Sequence, residues 1–516
     1  MSSLRQRLSL AALLMTGSVL LSRILGYVRD AVVAAKHGAS AVTDVYFASF
    51  TLPDLMSYML AGGALSITFL PMFSQYLHSD REDEGWECFS VIATTVGSIL
   101  LGMTIVVWLA APVLIPPLLP GFSEDQLSQT ISLTRIVLPA QLFFWMGGLL
   151  GGTVMARQRF REAALAPLVY NACIILFGVA LSDSIGIAGF SWGALVGAAL
   201  GPFGLMFWAA KKRGLNYRPR WSLAHPDLRK FVLLSLPVML GFSLVTVDEW
   251  IGRYFASSMR DGSISWLQNA RRLMLVPVSV LGQAAGQATL PFLAKLHAEG
   301  RDDEAASVLV DALRIVAFAT LAASAWMLIT AEPLVGLFFE RGRYLPVDTA
   351  STASALVFLS LGIVFWAAQA LVARGFYALQ DTWTPMVVSS VVALSSVPLY
   401  WWLGQRLDHV GLAIATTIGM LTTSTFTLWA LRRRLPLPLA VLGRSLARSA
   451  SVAAVAGAIG YGAHGLVGDA SYLLRAITAS AAFGVSYLAL VMVFKVPEWT
   501  SFSSRIRDRL RRKKTA

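Results

Sequence analysis

The sequence predicts an all-α polytopic membrane protein of about fourteen transmembrane helices. Three observations carry this. Of 516 residues, 56% are hydrophobic and only 14% charged, with a mean hydropathy of +0.64; nothing of useful size is left for a separate soluble domain. Apolar runs near the ~20 residues needed to cross a hydrocarbon core of ~30 Å succeed one another from Leu8 to Phe494. Lys and Arg crowd alternate loops, as in a chain that crosses a membrane repeatedly.

The first span begins behind Arg5 and Arg7. It imitates a signal peptide, but it runs on through Arg23 without an A-x-A-like cleavage site and reads as a retained span. Within it lies Ser22-Arg23-Ile24-Leu25-Gly26-Tyr27-Val28-Arg29-Asp30, and the second span opens at Asp44 and continues to Asp54. An arginine near the bilayer centre costs ~2.5–3.5 kcal/mol even on a lenient insertion scale, so these groups should face protein or water. Gly62 and Gly63 follow, small enough for close helix packing or bending.

Next comes a short acidic loop with Asp80, Glu82, Asp83, Glu84 and Glu87. If it held a metal-nucleotide, the chain would be an integral-membrane glycosyltransferase. The loop lacks a partner basic or aromatic pocket, and a solvated cytoplasmic loop is the preferred reading. Basic residues gather at Arg157, Arg159 and Arg161, at Lys211, Lys212, Arg213, Arg218 and Arg220, at Arg432, Arg433 and Arg434, and in the tail from Arg505 to Lys514. The intervening loops around Gly121, Asp183 and Gly465 are nearly free of them. The positive-inside bias therefore makes the basic loops and both termini cytoplasmic. A net charge of +13 records this topology and not a nucleic-acid partner, and the tail reads as an anchor on anionic membrane lipids.

The chain also repeats itself at an offset of about 220 residues. Gly62-Gly63-Ala64 with Leu70-Pro71 recurs as Gly282-Gln283-Ala284 with Leu290-Pro291. Gly189, Gly197, Trp208 and the basic run from Lys211 recur as Gly411, Gly419, Trp429 and the basic run from Arg432. Ordered matches at nearly one offset indicate duplication. The expected organisation is a six-helix lobe at 1–220, a second at 221–435, and two further helices with the basic tail at 436–516. An even count of spans makes the repeats parallel, with a cleft between them.

In the second copy, Arg271 and Arg272 stand in an otherwise apolar segment, with Asp248, Glu249 and Arg253 in the preceding one. A guanidinium is always charged and planar, and it binds phosphate or diphosphate oxygens through paired hydrogen bonds. A cleft lined by Arg23, Arg29 and Arg272 would select an anionic headgroup. The competing reading has them snorkel to the interface or pair with Asp30, Asp44 and Asp248. The cavity is preferred for Arg23 and Arg272, and both readings stand for Arg29. A cationic-drug exporter would favour acidic groups there.

Cys88 and Cys173 read as packing residues, and His37, His78, His225, His297, His409 and His464 as interfacial ones. Phosphate-loop, H-E-x-x-H and C-x-x-C patterns are absent, so no metal or cofactor is expected.

The strings SRILGYVRDAVVA (22–34), TDVYFASFTLPDL (43–55), GALSITFLP (63–71), PGF (120–122), RF with APLVYN (159–171), RRLMLVP (271–277) and GFYALQDTWTP (375–385) resemble the MurJ (MviN) family of lipid II flippases, within the multidrug/oligosaccharidyl-lipid/polysaccharide exporter superfamily. The resemblance spans the whole membrane region. It implies two six-helix bundles forming a V-shaped cleft, with two C-terminal helices making a groove for the lipid tail. It implies transport of lipid II, the undecaprenyl-diphosphate-linked muropeptide, across the bacterial inner membrane, coupled to membrane potential or a cation, beside other cell-wall synthesis proteins. Export of another undecaprenyl-diphosphate-linked glycan is the nearest alternative. The resemblance places Arg23, Arg29 and Arg272 on the diphosphate and Asp44 at the outer gate. Two positions depart from it. LPD is followed by Ser57-Tyr58 where relatives carry an arginine pair, and Arg271 stands where many carry an acid. It offers Asp248 as a sodium ligand, while 385–403 contains no Asp or Asn to complete such a site.

Overall fold

The computed structural model describes residues 2–61, 68–245, 247–468 and 470–500. Among the described residues all regular structure is helical, as expected. Gly62 and Gly63 lie outside the described residues. The helices are α1 (Ser2–His37), α2 (Ala41–Ser49), α3 (Thr51–Ala61), α4 (Leu70–His78), α5 (Glu82–Leu114), α6 (Glu124–Val137), α7 (Ala140–Ala156), α8 (Arg161–Ile185), α9 (Ala188–Ala198), α10 (Met206–Lys211), α11 (Pro226–Val245), α12 (Val247–Ala256), α13 (Ser263–Pro277), α14 (Ala284–Ala298), α15 (Asp302–Phe339), α16 (Pro346–Leu361), α17 (Ile363–Ala378), α18 (Trp383–Ser395), α19 (Val397–Arg432), α20 (Leu439–Leu466) and α21 (Tyr472–Val493).

Helices outnumber spans because many spans are broken. Among the described residues nine helical runs are long and apolar enough to cross a membrane, and α16 with α17, bent by 44°, make a tenth if counted as one. Proline causes several of the breaks, since it cannot return a hydrogen bond to the carbonyl four residues back. The ladder widens to π geometry at Ala199–Leu205, which contains Pro202, and at Val278–Gln283, directly after Pro277.

The chain divides into two compact units, Met1–Ser265 with Arg341–Tyr344, and Trp266–Glu340 with Leu345–Ala516. The first has an aromatic core in which Trp86 meets Phe73 and Phe89 edge to face at 5.2 and 5.6 Å. The acidic segment expected as a loop forms the start of α5 from Glu82 on, and three of its acids are paired: Glu82 with Arg157, Glu84 with Arg81 and Glu87 with Arg220. Where α7 crosses the wide turn of Pro202, a Cβ on Gly147 would lie 2.3 Å from the Pro202 carbonyl oxygen, so only glycine fits.

In the second unit the long α15 packs against α16, α17, α20 and α21. The Val278–Gln283 turn packs on α17, where a Cβ on Gly282 would lie 2.7 Å from the Ala367 Cα. Beyond α21 the buried Glu498 carboxylate accepts hydrogen bonds from Arg314 Nε of α15 (3.0 Å) and Ser445 Oγ of α20 (2.7 Å). His409 lies at a helix end. It is buried beside the Trp266 ring (4.9 Å), at the point where Asp408 breaks α19 with a left-handed φ of 54°.

Candidate functional site

Polar groups in apolar helices are affordable only when each is met, so the partners of the charged residues define the site. Arg29, near the end of α1, is half-buried. Its Nε donates to Asp30 Oδ1 at 2.9 Å, Nη2 lies 2.8 Å from the same oxygen, and Nη1 donates to Asn171 Oδ1 of α8 at 3.3 Å. Asn171 in turn donates to Ser22 Oγ (3.3 Å) and to the Pro167 carbonyl (3.0 Å). Arg29 therefore pairs with its neighbour Asp30 and not with Asp44. Arg23, two turns earlier on α1, is exposed.

Asp44 is occupied elsewhere in the first unit. Buried in the first turn of α2, its carboxylate accepts the Gly262 N–H (2.7 Å), the Ser265 N–H (2.8 Å) and the Ser265 hydroxyl (2.6 Å). Ser265 is the third residue of α13, so one of the N–H groups that a helix start leaves open is closed by a carboxylate from a distant helix. Gly262, at φ 95°, supplies the left-handed turn that aims both N–H groups at one acceptor. Later turns of α13 carry Arg271 and Arg272, both half-buried, with the Arg271 guanidinium 5.2 Å from the Trp366 ring centre in the second unit.

Asp248 sits half-buried in the first turn of α12. Further along α12, the buried Arg253 donates to Thr51 Oγ1 at 3.0 Å and lies 3.7 Å from Asp54 and 3.8 Å from Glu249. Asp54 also borders a cavity of about 510 Å³ in the first unit, with Ser57, Gln141, Phe144 and Tyr170 on its walls. Phe144 and Tyr170 meet edge to face at 5.1 Å, whereas Trp145 is buried packing. Among the described residues no group of His, Cys, Asp and Glu is arranged to hold a metal ion. Sequence reasoning missed Asn171 and Ser265 as partners; APLVYN and the Gly-Ser helix start were the visible signals.

In the solved structures the fold recurs among transporters. The chain is similar to a lipid II flippase MurJ in an inward closed conformation, with a TM-score of 0.77, 22% identity, and coverage of 93% of this chain and 98% of that one. It is also similar to an inward-facing multidrug resistance MATE family transporter of the MOP superfamily, with a TM-score of 0.68, 16% identity, and coverage of 82% and 96%. Together they show the fold, that of a polytopic helical membrane protein. Residues 33–479 match the family model for "Lipid II flippase MurJ". The chain belongs to the lipid II flippase MurJ family. Among curated relatives, a probable lipid II flippase MurJ of Rhizobium tropici is 27% identical over 414 residues, 78% of this chain and 77% of its own. The lipid II flippase MurJ of Burkholderia cenocepacia is 26% identical over 434 residues, 82% and 84% respectively.

Proposed function

We propose that the chain carries lipid II from the cytoplasmic to the periplasmic leaflet of the bacterial inner membrane by alternating access. The family match along 33–479 carries this reading, because it takes in Asp44, Arg271 and Arg272 together with α20 and the first turns of α21. In this mechanism no bond is made or broken. The diphosphate is held by Arg23, Arg29, Arg271 and Arg272, while the polyprenyl tail stays in lipid beside α20 and α21. Guanidinium groups supported by Asp30, Asn171 and the Trp366 ring are held in place before the cargo arrives. Asp44 is the gating group: its three hydrogen bonds at the start of α13 hold one state and must be released for another. Gly62 and Gly63 belong to the same gating reading, at the first copy's counterpart of the Gly282 turn. We extend it to about fourteen spans, lobes at 1–220 and 221–435, both termini in the cytoplasm and a tail on anionic lipid. Asp248 is retained as a cation-facing group without a complete sodium site.

Depletion of the native flippase, followed by surface exposure of labelled lipid II, tests the reading. The wild-type chain restores exposure, and Arg29→Ala and Arg272→Ala lose most of it while still reaching the membrane. Full rescue by both variants would remove the arginines from cargo recognition.

A further inference from the structure

Helix α5 contains Pro112, which has no N–H to give to the carbonyl of Trp108 four residues earlier. Arg135 of α6 meets that carbonyl instead. Its Nε donates to the Trp108 oxygen at 3.0 Å, and its guanidinium lies over the Trp108 ring, 4.5 Å from the centre. One carbonyl accounts for Nε alone. The two terminal nitrogens carry four more N–H donors, and among the described residues no carboxylate forms an ion pair with Arg135.

Arg135 borders a groove of about 730 Å³ with Trp108, Ser128, Ser132 and Trp192. Ser128, Ser132 and Arg135 follow one another along a single face of α6. Trp108 and Trp192 are 39% and 43% exposed, on segments long and apolar enough to span a membrane, so the groove opens to lipid. Its carboxylate, Glu124, is in the first turn of α6. At ~1.5 Å per residue it lies about 16 Å from Arg135 along the axis, too far to neutralise it.

A guanidinium facing lipid is costly unless an anion meets it, and phosphate oxygens match its fork. Adjacent serine hydroxyls can donate to the same oxygens, and tryptophan rings settle at headgroup depth. We infer that this groove is a headgroup site for an anionic glycerophospholipid, its phosphate on the terminal nitrogens of Arg135 with Ser128 and Ser132. The acyl chains run along the apolar faces of α6 and α9. The site lies in the leaflet nearest the turn before Glu124, and its walls hold none of the arginines assigned to the cargo.

The test is native mass spectrometry of the full chain in neutral detergent, titrated with phosphatidylglycerol and phosphatidylcholine of matched chains. The wild type holds one phosphatidylglycerol that phosphatidylcholine does not displace at equal concentration. Arg135→Gln weakens that one lipid by about five-fold or more. Ser132→Leu fills the groove, leaves Arg135 and the Trp108 carbonyl in place, and has the same effect. Equal binding of the two lipids overturns the inference. Loss in Arg135→Gln with full retention in Ser132→Leu also overturns it, by assigning Arg135 to support of the Trp108 carbonyl alone. Preferential displacement of the bound lipid by a polyprenyl diphosphate would make the groove a cargo site and reject the glycerophospholipid.

Discussion

Asp44 shows how much one side chain can hold. A carboxylate that accepts two backbone N–H groups and a hydroxyl at a helix start acts as a cap supplied from elsewhere in the chain. Asp44→Ala should lower unfolding stability by ~1–2 kcal/mol, the usual scale for a lost cap, with Ser265→Ala costing less because the N–H groups keep their acceptor. Thermal unfolding of the purified variants reads the difference, and equal losses would show that the hydroxyl dominates. Asp44 stood out in TDVYFASFTLPDL as an acid in an apolar segment, but its partners Gly262 and Ser265 did not. They lie more than two hundred residues away in sequence, and only tertiary packing brings them to it. Arg29 illustrates the same limit. Two readings stood for it, and the side chain adopts a neighbour pairing with Asp30 that helix geometry alone makes unattractive.

At the scale of elements, glycine positions separate into those that a neighbour forbids changing and those that nothing constrains. Gly147 faces the Pro202 carbonyl, so Gly147→Ala must push α7 from the wide turn, at a cost of ~1–3 kcal/mol. Gly102, on the exposed face of α5, has nothing within 4 Å of an added Cβ. Gly102→Ala should leave stability unchanged or raise it by up to ~1 kcal/mol, through helix propensity alone. Unfolding midpoints of the two variants check the contrast, and a loss in both would mean that α5 needs Gly102 for a contact outside the chain. Apolar runs made the helices visible in sequence, whereas their interruptions were harder to place. Pro112, Pro202 and Pro277 stand in the sequence alike, yet α5 runs on through Pro112 while the ladder widens at Pro202 and after Pro277.

Across the whole molecule, the chain beyond the last span is tied back to the second unit by Glu498. Removing one member of a buried ion pair strands the other and costs ~3–5 kcal/mol. Glu498→Ala should therefore destabilise the second unit, and protease sensitivity of the chain after α21 reports it. Burial opposes ionisation of Glu498, but the hydrogen bonds from Ser445 and Arg314 outweigh it and hold the carboxyl below the ordinary glutamate range. A depressed folded value means that this stabilisation is complete above the unfolded value of ~4.3 and is lost as pH falls through the folded one. Release of the C-terminal segment should accordingly set in only at strongly acid pH, and Glu498→Gln should flatten that dependence. Constant protease sensitivity across the range in the wild type would count against the pairing.

The wide turn at Ala199–Leu205 has a further meaning once the two halves of the sequence are laid side by side. Gly197 recurs 222 residues later as Gly419, yet Trp208 recurs only 221 residues later as Trp429. The first copy thus holds one residue more between its glycine and its tryptophan, and that interval contains the π turn, while α19 runs through the matching stretch as ordinary helix. Both tryptophans nonetheless end beneath a cation, Lys212 at 3.8 Å and Arg433 at 3.7 Å. A slackened coil has swallowed a codon's worth of drift between sister sequences, and the rim beyond it has kept its bearing.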